Sequence, residues 1–173
     1  MGNLRIHRPP NVRVQWPSPM GDNYREVFET WIERAENLTW FLMGRSLLQL
    51  VTTGELANKD TDIDIACLRA DALTVKELFA DWPIGFELYE KDVTHQLCYY
   101  PQSVLVDVHF FGGIPEHFGY KNQFNKWVTR PATDFEPSDM STQYGTVKLP
   151  ANPEKFLHDD YGPRWRDKPP VKK

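Results

Sequence analysis

Two aspartates, Asp62 and Asp64, lie two residues apart in an apolar segment of the chain, residues 61–68. The segment alternates with the period of a strand, so both carboxylates project from one face while Ile63 and Ile65 project from the other. Neighbouring carboxylates resist ionisation unless a cation neutralises them, and Mg²⁺ prefers such oxygen ligands together with substrate phosphates. The spacing predicts a divalent-metal site for phosphoryl or nucleotidyl transfer. A solvated acidic strand edge, or aspartates in a turn, is the alternative.

A third aspartate, Asp107, lies in the apolar run 103–111. Because an unpaired charge in an apolar strand costs free energy, Asp107 is predicted to complete the metal site or to deprotonate the acceptor. A salt bridge to a core arginine is the alternative. His109 lies two residues further along the same predicted strand and shares its face. It is a candidate substrate contact or base, with a hydrogen-bonded structural histidine as the competing interpretation.

A glycine-containing turn, Gly44-Arg45-Ser46, lies between a predicted strand at 40–43 and a predicted helix at 45–52. Backbone amides at the start of a helix can receive a phosphate. Gly44, Arg45 and Ser46 are therefore the predicted nucleotide-phosphate site. The guanidinium fork of Arg45 suits phosphate oxygens, and solvation at the surface is the competing explanation for that side chain.

These side chains need a scaffold, and the hydrophobic periodicity predicts one that mixes helices and strands. Helices are predicted at residues 22–37 and 45–52, from Asp71 or Thr74 to about 79, and around 153–159. Strands are predicted at residues 40–43, 61–68, 84–90, 95–100 and 103–111. The four prolines of residues 1–21 indicate an extended N-terminal arm. Residues 22–173 are predicted to form a single domain with an irregular C-terminal third.

Composition limits the classes of partner. The chain has 173 residues, 40% of them hydrophobic, and a formal net charge of −4, which suits one ordinary globular domain. A surface that binds long nucleic acids needs a basic face, so no extensive nucleic-acid surface is expected. The N-terminus has no apolar signal region, and no run approaches the length of a membrane span. A cytoplasmic setting without a membrane span is therefore expected.

The order of these motifs along the chain resembles that of a known superfamily. A strand, a Gly-x-Ser turn, a helix, an Asp-x-Asp strand and a distant aspartate resemble the nucleotidyltransferase superfamily that includes DNA polymerase beta. Within it, Gly44-Arg-Ser-Leu-Leu48 and Asp60-Thr-Asp-Ile-Asp-Ile65 resemble segments of the LicD family of phosphocholine and fukutin-type glycan phosphotransferases. The resemblance implies an α+β (α/β-like) fold with a mixed β-sheet flanked by helices, and Mg²⁺ or Mn²⁺ as cofactor. Asp60 becomes a further candidate substrate contact.

The end of the chain adds to this resemblance. Residues 149–157, then Tyr161-Gly-Pro-Arg-Trp165 and Lys168-Pro169, are similar to the closing motif of the LicD family. Tyr161, Arg164 and Trp165 are therefore candidate substrate contacts near the mouth of the site. The alternative is that the two aromatic side chains pack on the domain while the cations are solvated.

Three functions follow from these residues. The resemblance implies a metal-dependent transferase that moves a phosphocholine-like group from a nucleotide-activated, CDP-type donor to a hydroxyl of a glycan or small molecule. The same carboxylates would serve a small nucleotidyltransferase that passes a nucleoside monophosphate from a triphosphate to a small molecule or protein. A catalytically inactive binding or structural module is the third hypothesis, motivated by the short chain. The three aspartates favour an enzyme, because an inactive site has no need to keep like charges together.

Overall fold

The computed structural model describes residues 23–56, 62–82, 84–89, 92–99, 104–114, 117–121 and 127–167. The predicted arm at residues 1–21 and the candidate Asp60 lie outside these ranges. The α-helices in the described part are α1 (Asn23–Arg34), α2 (Gly44–Thr53), α3 (Ala72–Leu78) and α4 (Pro153–Tyr161). The strands are β1 (Trp40–Leu42), β2 (Asp62–Leu68), β3 (Ile84–Tyr89), β4 (Asp92–Tyr99), β5 (Val104–Ile114), β6 (His117–Lys121), β7 (Trp127–Pro131), β8 (Pro137–Thr142) and β9 (Gly145–Pro150).

The main sheet is mixed. Its strands are ordered β1-β2-β5-β4-β3, and β2 and β5 run parallel while the other neighbours in this order are antiparallel. β6 pairs with the end of β5 and with β7. The expected mixed sheet flanked by helices is therefore confirmed, and β2 and β5, which carry the three predicted aspartates, are direct neighbours.

The hydrophobic core lies against one face of β2 and β5. Ile63 and Ile65 on β2 and Val106 and Val108 on β5 are all fully buried, as the alternation of each strand requires. Burying each such side chain contributes about 1.5–3 kcal/mol. Trp31 of α1 belongs to the same core. The core holds the two strands rigidly and leaves the opposite face for the polar residues of the alternation.

The C-terminal part differs from the expected irregular segment, because strands β6 to β9 lie within it. β8 and β9 form a separate two-stranded hairpin, and β8 is exposed along nearly its whole length. An exposed strand has no buried face, so its sequence shows no apolar alternation to recognise. The hairpin is fixed to the domain through Lys148, whose Nζ donates to the carbonyl oxygens of Glu36 and Leu38 at 2.6 and 3.0 Å.

Helix α4 is fastened to β7 by a buried arginine. Arg130 forms an ion pair with Asp159 at 2.8 Å and lies 3.7 Å from the carboxylate of Asp160. Its guanidinium also lies 4.0 Å from the ring centroid of Phe156. Arg130 thus holds the helix through both its charge and the flat face of its guanidinium.

Among the described residues, no helix combines the length and apolar character that a bilayer crossing requires.

Candidate active site

The register of β2 and β5 brings the predicted acidic residues together. Asp64 lies directly opposite Asp107, and Ala66 lies opposite His109. Opposed residues of neighbouring strands share a face, so the three aspartates and His109 project from the face opposite the one that carries Ile63 and Ile65. Pairing of two strands that are about forty residues apart in sequence therefore builds one polar patch.

Three of these side chains form a compact group, which we call the acid–imidazole cluster: Asp64, Asp107 and His109. One potential ligand atom from each lies within 4.8 Å of the other two. His109 Nε2 is 3.2 Å from Asp107 Oδ2. Asp107 Oδ1 is buried and has no hydrogen-bond partner among the described residues. Such an unsatisfied buried oxygen needs an explanation, and a bound cation supplies one.

The electrostatics of the cluster show a shortage of positive charge. Burial, followed by the charges of Asp62 and Asp107, raises the pKa of Asp64 to about 7, although His109 opposes the rise. Burial alone would lower the pKa of His109, but the charge and hydrogen bond of Asp107, with Asp64 and Asp62, raise it to about 9. A divalent cation beside these carboxylates would relieve the repulsion that contributes to the raised pKa of Asp64.

Gly44 lets helix α2 begin directly against Asp64. Its φ of +55° is a left-handed conformation, and a Cβ placed on it would lie 2.7 Å from Asp64 Oδ2. The amide of Arg45 donates to the same oxygen at 2.9 Å. The amide of Asp64 donates in turn to Ser46 Oγ at 2.9 Å. The start of α2 is therefore fastened to Asp64 from both sides, and its N-terminal dipole favours the carboxylate there.

The predicted site residues separate into those near the cluster and those elsewhere. Gly44, Arg45 and Ser46 all adjoin Asp64. Their binding of a phosphate stays a prediction, and Ser46 is almost completely buried. Asp62 shares the polar face and its charge acts on Asp64 and His109, but it is not a member of the three-residue cluster. Its role as a metal ligand also stays a prediction.

The predicted contacts at the C-terminus lie around the end of α4. Gly162 has a φ of +86° and its amide donates to the carbonyl of His158 at 2.7 Å, which ends the helix. Trp165 is buried, with the guanidinium of Arg166 4.5 Å from its ring centroid. The Tyr-Gly-x-x-Trp motif is thus accounted for as a helix end followed by an aromatic anchor. Substrate contacts by Tyr161, Arg164 and Trp165 stay predictions.

Two features of the site go beyond what the sequence predicts. The sequence leaves His109 as a substrate contact, a base or a structural residue, whereas the structure groups it with the two carboxylates. The spacing of Asp107 and His109 along one strand face is the available signal. The start of α2 also forms hydrogen bonds with Asp64, which lies 18 and 19 positions away in the sequence. No local sequence pattern predicts that these two segments come into contact.

The cluster fits a divalent metal ion. Asp64 and Asp107 would hold it through carboxylate oxygens, and the unsatisfied Oδ1 of Asp107 would gain a partner. Hard divalent cations take several oxygen ligands from such groups. The ion would also offset the repulsion that raises the pKa of Asp64.

No protein-family model matches the sequence, and a search of curated proteins finds no match. Solved structures do match. The lincosamide antibiotic adenylyltransferase LnuA, in its lincomycin-bound form, aligns with a TM-score of 0.53 at 13% identity over 76% of this chain and 81% of its own. A protein of Thermotoga maritima, assigned provisionally as a nucleotidyltransferase, aligns with a TM-score of 0.52 at 16% identity over 80% of this chain and 81% of its own.

The chain has the nucleotidyltransferase fold. The fold prediction is confirmed, but the assignment to the LicD family is wrong, because the structural neighbours are nucleotidyltransferases of other kinds. The Gly-x-Ser turn, the Asp-x-Asp strand and the later aspartate resemble the nucleotidyltransferase superfamily as a whole, so they do not select one branch. The C-terminal motif that selected the LicD branch is explained by the end of α4.

Proposed function

We propose that the chain is a metal-dependent nucleotidyltransferase that passes a nucleoside monophosphate from a nucleoside triphosphate to a hydroxyl group of a small molecule. The observation that carries this proposal is the acid–imidazole cluster at the start of α2, on a chain with the nucleotidyltransferase fold. LnuA is an adenylyltransferase whose structure holds lincomycin, which supports a small-molecule acceptor. A CDP-type donor and a glycan acceptor rested on the rejected LicD assignment.

The reaction would be an in-line displacement. The acceptor oxygen forms a bond to the α-phosphorus, the bond from that phosphorus to the bridging oxygen breaks, and pyrophosphate leaves. The proton of the acceptor hydroxyl passes to a carboxylate, for which Asp107 is the candidate. The metal ion would neutralise phosphate charge and orient the leaving group.

The residues of the chain supply mainly positioning. Asp64 accepts a hydrogen bond from the Arg45 amide and lies against Gly44, and both contacts favour one orientation of its carboxylate. Asp107 lies on β5, which is paired on both sides by β2 and β4. Rigid placement of this kind lowers the entropic part of the barrier. The side chain of Arg45, at the start of α2, is the candidate phosphate contact.

The test is a search for pyrophosphate release. The protein is incubated with each of the four nucleoside triphosphates, labelled at the α-phosphate, with Mg²⁺ or Mn²⁺ and a panel of hydroxyl-bearing compounds that includes lincomycin. We expect pyrophosphate release and transfer of the label to at least one acceptor. Asp64→Asn and Asp107→Asn should abolish both signals, whereas Asp139→Asn, an exposed aspartate on β8, should retain them.

Two results would count against the proposal. Equal transfer by wild type and Asp64→Asn would remove the cluster from the chemistry. Nucleotide binding without transfer to any acceptor would favour the inactive binding module over an enzyme.

A further inference from the structure

We propose that His109 is a nitrogen ligand of the metal ion, so that the site takes a first-row transition ion such as Mn²⁺ in preference to Mg²⁺. This inference rests on the proposed function, because it concerns the same metal site. It changes the expected chemistry of the ion from one held by oxygen atoms alone to one held by two carboxylates and an imidazole.

The spacing of the cluster suits coordination of one ion. Two ligand atoms that each lie about 2.1 Å from a metal, at right angles, are separated by about 3.0 Å, and opposite ligands by about 4.2 Å. His109 Nε2 and Asp107 Oδ2 are 3.2 Å apart. The ligand atoms of all three residues lie within 4.8 Å of one another. Only small side-chain adjustments would therefore place the three atoms around a single ion.

Two further observations support a metal site that includes His109. Asp107 Oδ1 is buried without a hydrogen-bond partner among the described residues, so within that part of the chain the cluster holds an unsatisfied acceptor. The backbone of His109 is fixed from both sides, since it pairs with Ala66 of β2 and Thr94 of β4. A ligand on a central strand keeps its position better than one on a loop.

The ligand types decide which ion is favoured. Imidazole nitrogen suits transition ions such as zinc, iron and nickel, whereas carboxylate oxygen suits magnesium, calcium and manganese. Mg²⁺ is reluctant to exchange its oxygen ligands and demands near-ideal octahedral geometry. A site with one nitrogen and two carboxylates therefore favours the transition ions. Mn²⁺ is the appropriate probe because it is a first-row transition ion that also accepts the two carboxylates, and its unpaired electrons report a bound nitrogen.

The competing role for His109 is positioning. In that case its ring donates to Asp107 Oδ2 and orients the carboxylate without contacting the ion, as residues behind a metal ligand commonly do. The two roles predict different results. A ligand produces magnetic coupling between its nitrogen and Mn²⁺ and changes the preference between ions. A positioning residue produces no such coupling and affects the affinity for both ions alike.

The experiment uses the full chain without nucleotide. Pulsed electron paramagnetic resonance of bound Mn²⁺ measures ¹⁴N coupling, and calorimetric titration measures Mn²⁺ and Mg²⁺ affinity. His109→Gln keeps an amide that can donate to Asp107 but removes the imidazole. His158→Gln is the matched control, because His158 lies on α4 with 56% of its side chain exposed. Circular dichroism checks that each variant is folded.

We expect imidazole coupling in wild type and in His158→Gln, and its loss in His109→Gln. The same variant should weaken Mn²⁺ binding by more than the roughly tenfold that loss of a residue behind a ligand already causes, while Mg²⁺ binding changes much less. Absence of ¹⁴N coupling in wild type, absence of Mn²⁺ binding, or an unchanged preference between the ions in His109→Gln would overturn the inference.

Failure of this inference and failure of the proposed function can be distinguished. Nitrogen coupling without any nucleotidyl transfer would overturn the proposed function and leave the metal assignment standing. Transfer that runs equally well with Mn²⁺ in wild type and in His109→Gln, without ¹⁴N coupling in wild type, would support the proposed function and reject His109 as a ligand.

Discussion

Replacing Asp64 with asparagine removes a charge from the cluster while leaving its packing nearly unchanged. The amide oxygen of asparagine can still accept the hydrogen bond that the Arg45 amide donates at 2.9 Å. The new side chain has almost the same volume, so it still fits against Gly44. We expect the metal-free variant to be more stable than wild type at pH 8, and the advantage to vanish at pH 4.

The magnitude follows from the pKa of Asp64, which burial and the neighbouring carboxylates raise from 3.8 to about 7. A folded-state pKa above the unfolded value means that ionisation favours unfolding. The cost is absent below pH 3.8, grows as the pH rises to about 7, and is constant above it. At 1.36 kcal/mol per pKa unit, the limit is about 4 kcal/mol. The attraction of His109 is already included in this pKa, but Asp64 is only partly buried and water screens part of the cost, so we expect a net gain of about 1–2 kcal/mol.

The assay is urea unfolding of metal-free wild type, Asp64→Asn and the surface control Asp139→Asn at pH 4 and pH 8. Added Mn²⁺ should reverse the order at pH 8. At one hundred times the dissociation constant, a bound ion stabilises wild type by about 2.7 kcal/mol, and the variant should gain far less. A variant that is less stable than wild type at pH 8, or that gains the full Mn²⁺ stabilisation, would refute the electrostatic account of the cluster.

Further substitutions test the supports of the site. Gly44→Ala should lower the unfolding free energy more than Gly54→Ala and should impair Mn²⁺ binding. Both glycines have positive φ, but only at Gly44 would an added Cβ meet an atom of the cluster within 4 Å. Urea unfolding and Mn²⁺ titration check this, and equal losses in the two variants would contradict it. Ser46→Ala should cost about 1–3 kcal/mol, since the amide of a buried strand loses its acceptor; an unchanged unfolding free energy would argue against that fastening. Arg130→Met should lower the unfolding free energy by about 3 kcal/mol, because Asp160 stays buried without its cation; a thermal midpoint equal to that of wild type would reject the ion pair as a support of α4.

The part of the fold that holds the aspartates could be predicted from the sequence because its strands alternate. One face of β2 and β5 is buried in the core and the other carries the aspartates and His109, so the period of two is visible around these residues. The strands of the C-terminal part could not be predicted in this way. β8 is exposed, and its residues Pro137–Thr142 carry no apolar stripe.

Only the residue types of the candidate site and the strand faces that carry them could be predicted from the sequence. The alternation puts Asp62 and Asp64 on one face, and the cost of an unpaired charge in an apolar strand predicts that Asp107 completes the site. It does not specify the register, which sets Asp64 opposite Asp107, because register depends on pairing between distant segments. For the same reason the sequence does not reveal how close His109 lies to the carboxylates.

The LicD assignment failed for a different physical reason. Short motifs that end a helix recur wherever a helix must stop and its end must be anchored. Gly162 ends α4 through a left-handed conformation, and Trp165 covers the end with a buried ring. Both needs arise in unrelated proteins, so the motif carries little information about substrate.

The most direct test of the central claim is whether a nucleoside triphosphate binds through a metal ion at the acid–imidazole cluster. A triphosphate analogue whose α–β bridge cannot be cleaved is titrated calorimetrically into the protein with Mn²⁺ or with a chelator. We predict binding to wild type and to Asp139→Asn only when Mn²⁺ is present, and none to Asp107→Asn. Binding that persists with the chelator, or that is unchanged in Asp107→Asn, would contradict the claim that these carboxylates hold the metal and the donor together.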